Sequence, residues 1–231
     1  MIAIMRRTIN IFAFITIMVL AIASCKSEDP YNGHEYVDLG LSVKWATCNV
    51  GAQNPEDYGE YYAWGETITK TTYTWKNYRF RVSGDTYSDL KFSKYDPAEI
   101  LDHLKKTVLD LADDVANVKW GGNWRMPTIA NLTELANNCT FASATVNNVK
   151  GVKVTSNING NYIFLPSNGY ITGTTFKGWT SNSPGARFWL ADCAGSDKAY
   201  QQYTAESSPA VNYDQAKDKF RGTPIRPVYV P

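Results

Sequence analysis

The sequence predicts a single β-rich α+β domain. Aromatic residues make up 13% of the 231 residues and charged residues 19%, a mixture typical of extracellular β-rich domains. Helical periodicity is confined to the middle of the chain, and short apolar or alternating runs lie on both sides of it. This arrangement indicates an α+β fold. No period of about 20 to 50 residues recurs, which gives no support to a repeat architecture.

The N-terminus predicts export and lipid anchoring. Arg6 and Arg7 precede the apolar run INIFAFITIMVLAIA, and no acidic residue occurs before Cys25. This run is shorter than the roughly 20 residues that a membrane span needs, and it predicts a signal peptide over residues 1–24. The ending IASC resembles a bacterial lipobox, in which the cysteine becomes the lipidated first residue. We expect a lipidated tether over residues 25–35 and one domain over 36–231.

The net charge of the predicted mature chain indicates which classes of partner to expect. Without Arg6 and Arg7, 21 of the 23 basic residues remain against 22 acidic ones, for a net charge of −1. A near-neutral domain lacks the basic stripe that nucleic acid requires, so we expect no nucleic-acid partner. The KSEDP stretch after Cys25 resembles the export signal of surface-displayed lipoproteins of the Bacteroidetes. It predicts an outer membrane lipoprotein on the cell surface, with the membrane as one partner.

The N-terminal half predicts short strands. Residues 37–45, VDLGLSVKW, are apolar and broken by Gly40, which is typical of a hairpin or a bent strand. Residues 60–66, EYYAWGE, predict a short aromatic strand ending in glycine. Residues 67–89 are polar and lack helical periodicity, so we expect an irregular loop with at most one strand.

Two helices are predicted in the middle of the chain. Asp96 and Pro97 form an N-cap and first-turn pair. The apolar stripe behind them consists of Ile100, Leu101, Leu104, Val108 and Leu111. Thr128 is the expected cap of a second helix that ends near Asn138, and its apolar face consists of Ile129, Leu132, Leu135 and Ala136.

The remainder predicts strands and turns. Turn-rich clusters such as NING, SNG and AGS separate four apolar or alternating runs. These runs cover residues 162–165, 187–191, 198–204 and 223–230.

The cysteines allow at most one disulfide within the domain. Cys48, Cys139 and Cys193 remain once Cys25 is lipidated, and export permits a bridge. We predict the pair Cys48–Cys139. Cys193, in the apolar run RFWLADC, is interpreted as a buried thiol.

Four motif strings resemble a known family. VDLGLSVKWATCNVGAQNPEDYGEYYAWGE, LADDVANVKWGGNWRMPT, YIFLPSNGY and RGTPIRPV, in this order and spacing, are similar to the Fibrobacter succinogenes major paralogous domain family. The resemblance covers about residues 36–228. It implies a C-type lectin-like fold with two helices, short antiparallel strands and a long loop-rich C-terminal half. The helix after WRMPT starts with less charge than is usual in the family, and WTSNSPG, residues 179–185, matches only loosely.

Metal and cofactor sites are not expected. The Glu-Pro-Asn, Gln-Pro-Asp and Trp-Asn-Asp strings of calcium-dependent lectins are absent from the sequence. The acidic trio Asp110, Asp113 and Asp114 offers oxygen ligands, but we interpret it as a helix start or an exposed face.

Catalytic residues are also not apparent. The two histidines are His34, beside the tether, and His103, on the polar side of the predicted helix. Neither lies in a context typical of a nucleophile–histidine arrangement. Cys193 has no matched partner of the kind that formylglycine-generating enzymes need. We expect no enzymatic activity; glycoside cleavage by an acid pair is unsupported, although the sequence leaves it open.

The predicted ligand site lies in the C-terminal half. An aromatic face with amide and charged neighbours suits a sugar or a peptide. The candidate binding residues are Trp179, Asn182, Arg187, Trp189 and Asp192. For Trp189 the alternative, that it faces the core, stays open.

The stretch WGGNWRMPT, residues 120–128, is interpreted as a structural corner rather than a ligand platform. Two adjacent glycines permit positive φ, and Pro127 keeps the residue before it extended. The corner residues are Trp120, Gly121, Gly122, Trp124, Arg125 and Pro127.

Together these observations predict a lipid-anchored cell-envelope protein that acts as a non-catalytic binding module. The predicted ligand is a glycan or a protein. The alternative is a structural or assembly subunit of an envelope complex.

Overall fold

The structure is a computed structural model that describes residues 31–84, 86–97, 105–178, 185–205 and 212–231, with the backbone alone for 212–215. The predicted signal peptide, Cys25, His103, Trp179 and Asn182 lie outside these ranges. Within them, no helix is both long and apolar enough to cross a membrane.

Antiparallel strands in small sheets dominate the described structure, as a β-rich α+β fold requires. A four-stranded sheet has the order β1-β2-β14-β5, with β1 at Tyr36–Val37, β2 at Lys44–Ala46, β5 at Trp124–Arg125 and β14 at Val228–Tyr229. Because β14 lies between β2 and β5, the C-terminus closes against the N-terminal hairpin. β1 and β2 pair in an antiparallel hairpin, which is one of the two alternatives predicted for residues 37–45.

The C-terminal half is richer in strands than predicted. One three-stranded sheet has the order β6-β7-β8, from Cys139–Val146, Val149–Ser156 and Tyr162–Pro166. A second has the order β11-β12-β13, from Gly185–Cys193, Lys198–Ala205 and Asn212–Asp218. Two hairpins complete the set, namely β3 (Arg81–Ser83) with β4 (Lys91–Phe92) and β9 (Tyr170–Thr172) with β10 (Thr175–Lys177).

The described residues contain two α-helices, and one of them was predicted. Helix α2, Ile129–Asn138, begins after Thr128, whose hydroxyl accepts from the Asn131 backbone N–H, and buries Leu132 and Leu135. Helix α1 is short, Val115–Trp120, and Asp114 caps its N-terminus. Short 3₁₀ turns occupy Trp75–Asn77 and Leu111–Asp113.

The helix predicted behind Asp96 and Pro97 is wrong over its described part. Val108 forms a β-bridge with Asp192, and the Leu109 N–H donates to the Ala191 carbonyl at 3.0 Å. Val108 and Leu111 are exposed, whereas Leu109, which is not in the predicted stripe, is buried. The segment therefore docks on the edge of β11 through its backbone. Residues 98–104 lie outside the described ranges.

Strand β11 lies between two hydrophobic clusters. Its alternate side chains Trp189, Ala191 and Cys193 enter the first cluster, which is rich in aromatic rings. Ala186, Phe188 and Leu190 enter the second, which is mainly aliphatic and includes the buried face of α2. Both faces of β11 are thus buried, which explains its nearly continuous apolar sequence.

The fully buried Arg226 connects segments that are distant in sequence. Its guanidinium donates to Asn49 Oδ1 at 2.8 Å, to the carbonyls of Ala46 and Thr47 at 3.1 and 2.8 Å, and to the Phe164 carbonyl at 3.1 Å. Burial lowers the pKa of this guanidinium to about 10, although the charge interaction with Cys48 raises it. Arg226 therefore joins the end of β2 to β8.

Replacing Arg226 with methionine should destabilise the protein strongly. The Arg226→Met variant leaves buried carbonyls at Ala46 and Phe164 without these donors, and we expect the free energy of unfolding to fall by about 3 to 5 kcal/mol. Urea unfolding monitored by tryptophan fluorescence measures this change. Lys76→Met, at an exposed position, is the matched control and should change stability by less than about 1 kcal/mol. Equal stability of both variants would contradict the role of Arg226.

Candidate functional site

Of the residues predicted to bind a ligand, the structure describes Arg187, Trp189 and Asp192, and these three do not form a common exposed surface. Trp189 is fully buried, and its Nε1 donates to the Tyr62 carbonyl at 2.9 Å, so it belongs to the core. Asp192 accepts from the Ile129 N–H at 2.8 Å and thereby supports the start of α2. Arg187 is only 7% exposed, which corrects the expectation that it lies on the surface. Burial of both faces of β11 explains the positions of Arg187 and Trp189, and for Trp189 it is the core-facing alternative that the sequence left open.

Both tryptophans of the WGGNWRMPT corner are buried, which agrees with its structural interpretation, whereas Gly122 and Asn123 between them are exposed. Trp124 is fully buried, and its Nε1 donates to the Tyr31 carbonyl at 2.9 Å. Its ring lies 4.9 Å from Trp120 in an edge-to-face arrangement. Gly121 and Gly122 have φ values of 71° and 54°, the conformation expected of a glycine-dependent turn.

The predicted disulfide is absent. Cys48, Cys139 and Cys193 are all free thiols. Cys48 packs against the first hydrophobic cluster and Cys139 lies in the second, so the two side chains enter different cores. Cys193 is buried, as predicted.

The acidic trio is part of an ion-pair network and a helix cap. Asp110 pairs with Lys94 and Lys106 at 2.6 and 2.5 Å, and Asp113 pairs with Arg79 at 3.1 Å. Asp114 caps α1, which confirms the interpretation as a helix start, but Asp113 and Asp114 are buried rather than exposed. Across the described ranges, no three His, Cys, Asp or Glu side chains group closely enough to hold a metal ion.

A cleft of about 500 Å³ lies beside Trp120, at the start of the WGGNWRMPT corner. The sequence did not predict it. Three segments form its walls, namely residues 33–35 before β1, residues 47–53 after β2 with Glu60, and the last two residues of α1. The volume is within the range of about 300 to 1,000 Å³ that is typical of small-molecule sites. We call it the N-terminal cleft.

Backbone contacts hold the three walls in place. The Thr47 N–H donates to the Glu35 carbonyl at 3.1 Å, and the Glu60 N–H donates to the Val50 carbonyl at 2.9 Å. Asn32 Nδ2 reaches the Trp120 carbonyl at 2.6 Å, which attaches the first wall to α1. Gly51 has a φ of 79°, and a Cβ there would lie 2.5 Å from Glu60 Cγ, so glycine lets this side chain pack on the turn.

The lining combines an aromatic stack with hydrogen-bonding groups. The imidazole of His34 stacks on the Trp120 ring with centroids 3.9 Å apart and planes 9° apart. The polar lining groups are Glu35, Thr47, Gln53, Glu60 and Lys119. Such a wall offers both an apolar face and several donors and acceptors, which is the composition that orients a polar ligand.

Cys48 also lines the cleft, as a neutral thiol. Burial raises the pKa of Cys48, while Arg226 and a hydrogen bond with Thr47 act in the opposite direction. The thiol Sγ donates to the Ala52 carbonyl at 3.5 Å. Because the thiolate is the nucleophilic form, this residue contributes to the shape of the cleft rather than to covalent chemistry.

Sequence reasoning missed the cleft because its lining comes from separate stretches. In sequence, His34 lies beside the predicted tether, and Glu35 and Glu60 are ordinary acidic residues. The useful signal was the polar turn NVGAQNPEDYGE between two apolar strings. Polar turns with several glycines between core-forming strings often carry a binding site.

Comparisons with known proteins give no relative. No family model, no curated protein and no solved structure matches this chain.

The cap of α1, which carries the Trp120 side of the cleft, should make stability depend on pH. Burial raises the pKa of Asp114 to about 6, against the hydrogen bonds from the Met126, Asn117 and Ala116 N–H groups. Since the unfolded value is near 3.8, the folded protein binds more protons between these two pH values. The free energy of unfolding should therefore fall by up to about 3 kcal/mol as pH rises from about 4 to about 6.

Urea unfolding of wild type and Asp114→Asn across this range isolates the effect. The difference between wild type and variant should fall between pH 4 and 6 and be constant from about pH 7 to 8. Asp110→Asn is the control, because Lys106 lowers the pKa of Asp110 and removes its titration from this window. A difference that does not change with pH for Asp114→Asn would contradict the prediction.

Proposed function

We propose that this chain is a lipid-anchored cell-envelope protein, displayed on the outer membrane surface, whose domain is a non-catalytic binding module for a glycan. The N-terminal cleft is the observation that carries this proposal. Its stacked His34–Trp120 pair and its hydrogen-bonding rim suit a polyhydroxylated ring, which needs apolar contact on one face and polar contacts at its edge.

The sequence motifs and the fold support membership of the Fibrobacter succinogenes major paralogous domain family and a C-type lectin-like fold. The motif strings cover almost the whole domain, and α1, α2 and the small antiparallel sheets are compatible with that fold. The C-terminus closes on β2, which keeps the domain ends together.

The charge of the cleft narrows the ligand class. Glu35 and Glu60 place two carboxylates on the rim against the single ammonium group of Lys119. Carboxylates accept hydrogen bonds from sugar hydroxyl or amino groups and repel anions. The cleft is therefore proposed to take a neutral or amino sugar.

Glu35→Gln should weaken binding of such a sugar by about tenfold, because it removes a charged hydrogen-bond acceptor from the rim. A glycan array probed with the protein purified from membranes identifies the sugar, and calorimetry then measures the dissociation constant. Gln53→Ala, on the opposite wall, should also weaken binding.

Glu56→Gln is the matched control, since Glu56 lies outside the cleft and accepts from Asn147 Nδ2 at 2.6 Å. It should leave the affinity unchanged. An array on which the folded protein binds no glycan would overturn the proposal. One dominant crosslinked protein partner in intact cells would favour the alternative, a structural or assembly subunit.

Cys25→Ser should release the protein from the membrane fraction, because an acyl anchor supplies the membrane affinity of an otherwise polar domain. Cell fractionation with immunoblotting measures this, and protease treatment of intact cells reports surface display of the wild type. A Cys25→Ser protein that still sediments with membranes would contradict the anchor.

A further inference from the structure

We propose that a second site, separate from the N-terminal cleft, binds the carboxylates of an acidic polysaccharide. It is formed by Tyr203, Arg187, Tyr170 and Arg221, which we call the Tyr–Arg column, together with Lys217. The inference rests on the proposed function in one respect, because a polysaccharide is met by a domain displayed outside the cell.

The centre of the column is Arg187, which is held rigidly. Asn168 Oδ1 accepts from the Arg187 N–H at 2.9 Å, and Asn168 Nδ2 donates to the Arg187 carbonyl at 2.8 Å. Across the β11–β12 pair Arg187 lies opposite Tyr203, and its guanidinium carbon stands 4.3 Å from the centroid of that ring. The same carbon stands 5.4 Å from the Tyr170 ring.

The second contact of the column joins Tyr170 and Arg221, which belong to two different sequence motifs. Tyr170 ends YIFLPSNGY, and Arg221 begins RGTPIRPV. A β-bridge between Ile171 and Gly222 joins them, with hydrogen bonds of 2.8 and 3.0 Å. The Arg221 guanidinium carbon consequently stands 4.2 Å from the Tyr170 ring centroid. One tyrosine ring therefore contacts two guanidinium groups.

Further cations lie around the column. The pKa values of Arg187 and Lys217 are lowered, first by burial and then by neighbouring cations that include Arg221. Lys177 lies opposite Tyr170 in the β9–β10 hairpin. The Asp218 carboxylate raises the pKa of both Arg221 and Lys217. It also accepts a hydrogen bond from the Tyr87 hydroxyl at 3.0 Å.

The outer groups of this site have donors available for a ligand. Arg221 is half-buried and Lys217 is partly exposed. Neither charged group forms a hydrogen bond or a salt bridge within the part of the chain that the structure describes. Contact with the Tyr170 ring restrains the Arg221 guanidinium, which reduces the conformational entropy that binding would otherwise cost.

An anionic chain relieves the repulsion between these cations. Guanidinium groups bind carboxylates through paired hydrogen bonds, and the partly exposed Arg221 and Lys217, backed by the buried Arg187, suit charges that repeat along a polymer. The near-neutral balance of the whole chain, 23 basic against 22 acidic residues, does not favour nucleic acid. The N-terminal cleft, with its two carboxylates, repels the same ligand, so the two sites take different chemistry.

The test uses the protein purified from membranes and immobilised polygalacturonate, with neutral dextran as the comparison. Wild type should bind polygalacturonate and not dextran, and the affinity should fall as NaCl rises from about 50 to about 200 mM. Arg221→Gln should weaken binding by about tenfold or more. Arg221→Lys keeps the charge but loses the planar fork, and it should fall between wild type and Arg221→Gln.

Lys217→Gln and Lys153→Gln form a matched pair. Lys153 stands 4.0 Å from the Tyr162 ring, an isolated cation–aromatic contact on β7 and β8. Lys217→Gln should weaken binding several-fold, whereas Lys153→Gln should not. Equal effects of the two lysine variants, or unchanged binding by a folded Arg221→Gln protein, would overturn the inference. Tighter binding to polyglutamate than to polygalacturonate would do the same, since it would indicate an acidic protein ligand.

These experiments distinguish a failure of the proposed sugar site in the N-terminal cleft from a failure of the proposed carboxylate site at the Tyr–Arg column. Loss of polygalacturonate binding only in Arg221 and Lys217 variants supports the second site even if no sugar binds in the cleft. Sugar binding that depends on Glu35, without any binding of polygalacturonate, overturns the second site alone.

Discussion

The buried Arg226 guanidinium is the interaction on which the rest of the structure depends. A charge in a core is costly unless hydrogen bonds replace its hydration, and Arg226 meets this condition with neutral acceptors from β2, Asn49 and β8. The acceptor Asn49 in turn donates to the Tyr58 carbonyl at 2.9 Å, within the turn that precedes Glu60. The same arginine therefore sets the relative position of a core sheet and of the N-terminal cleft. A second buried cation, Lys219, acts similarly in the first cluster, where its ammonium donates to the carbonyls of Tyr95, Gly195 and Ser196.

The segment that buries Lys219 and Arg226 also carries the partly exposed Arg221. The C-terminal segment from Lys217 to Arg226 alternates between buried and partly exposed basic residues, so the backbone that anchors the cores also presents Arg221 beside Tyr170. The bridge between Ile171 and Gly222 makes this geometry a product of the fold rather than of a mobile loop. Sites supported by strand pairing hold their side chains more closely than sites carried by loops alone. The Tyr–Arg column thus derives its rigidity from contacts that the hydrophobic clusters already require.

The sequence predicted those elements whose signals are local. The Thr128 cap, the end of α2 and the hairpin around Gly40 depend on neighbouring residues, and all three are present. The helix expected behind Asp96 failed because apolar spacing does not report which side chains are buried, and Val108 instead pairs with Asp192. The disulfide prediction failed for a related reason, since cysteine count carries no information on which core each thiol enters. The cleft as a whole was not predicted, because its walls come from stretches that are distant in sequence and lie around the sheet β1-β2-β14-β5.

A ligand site was predicted on β11 because the sequence does not show that both faces of this strand are buried. Phe188, Trp189 and Asp192 have the composition of a binding surface, but composition alone cannot distinguish a strand with one buried face from a strand with two. Leu190 O accepts from Trp64 Nε1 at 2.8 Å, so even the backbone of this strand is used by the core. The groups that remain for a ligand are those at the margins of the clusters, where a ring is partly covered and a polar group reaches solvent. His34 on Trp120 and Arg221 on Tyr170 both satisfy this description.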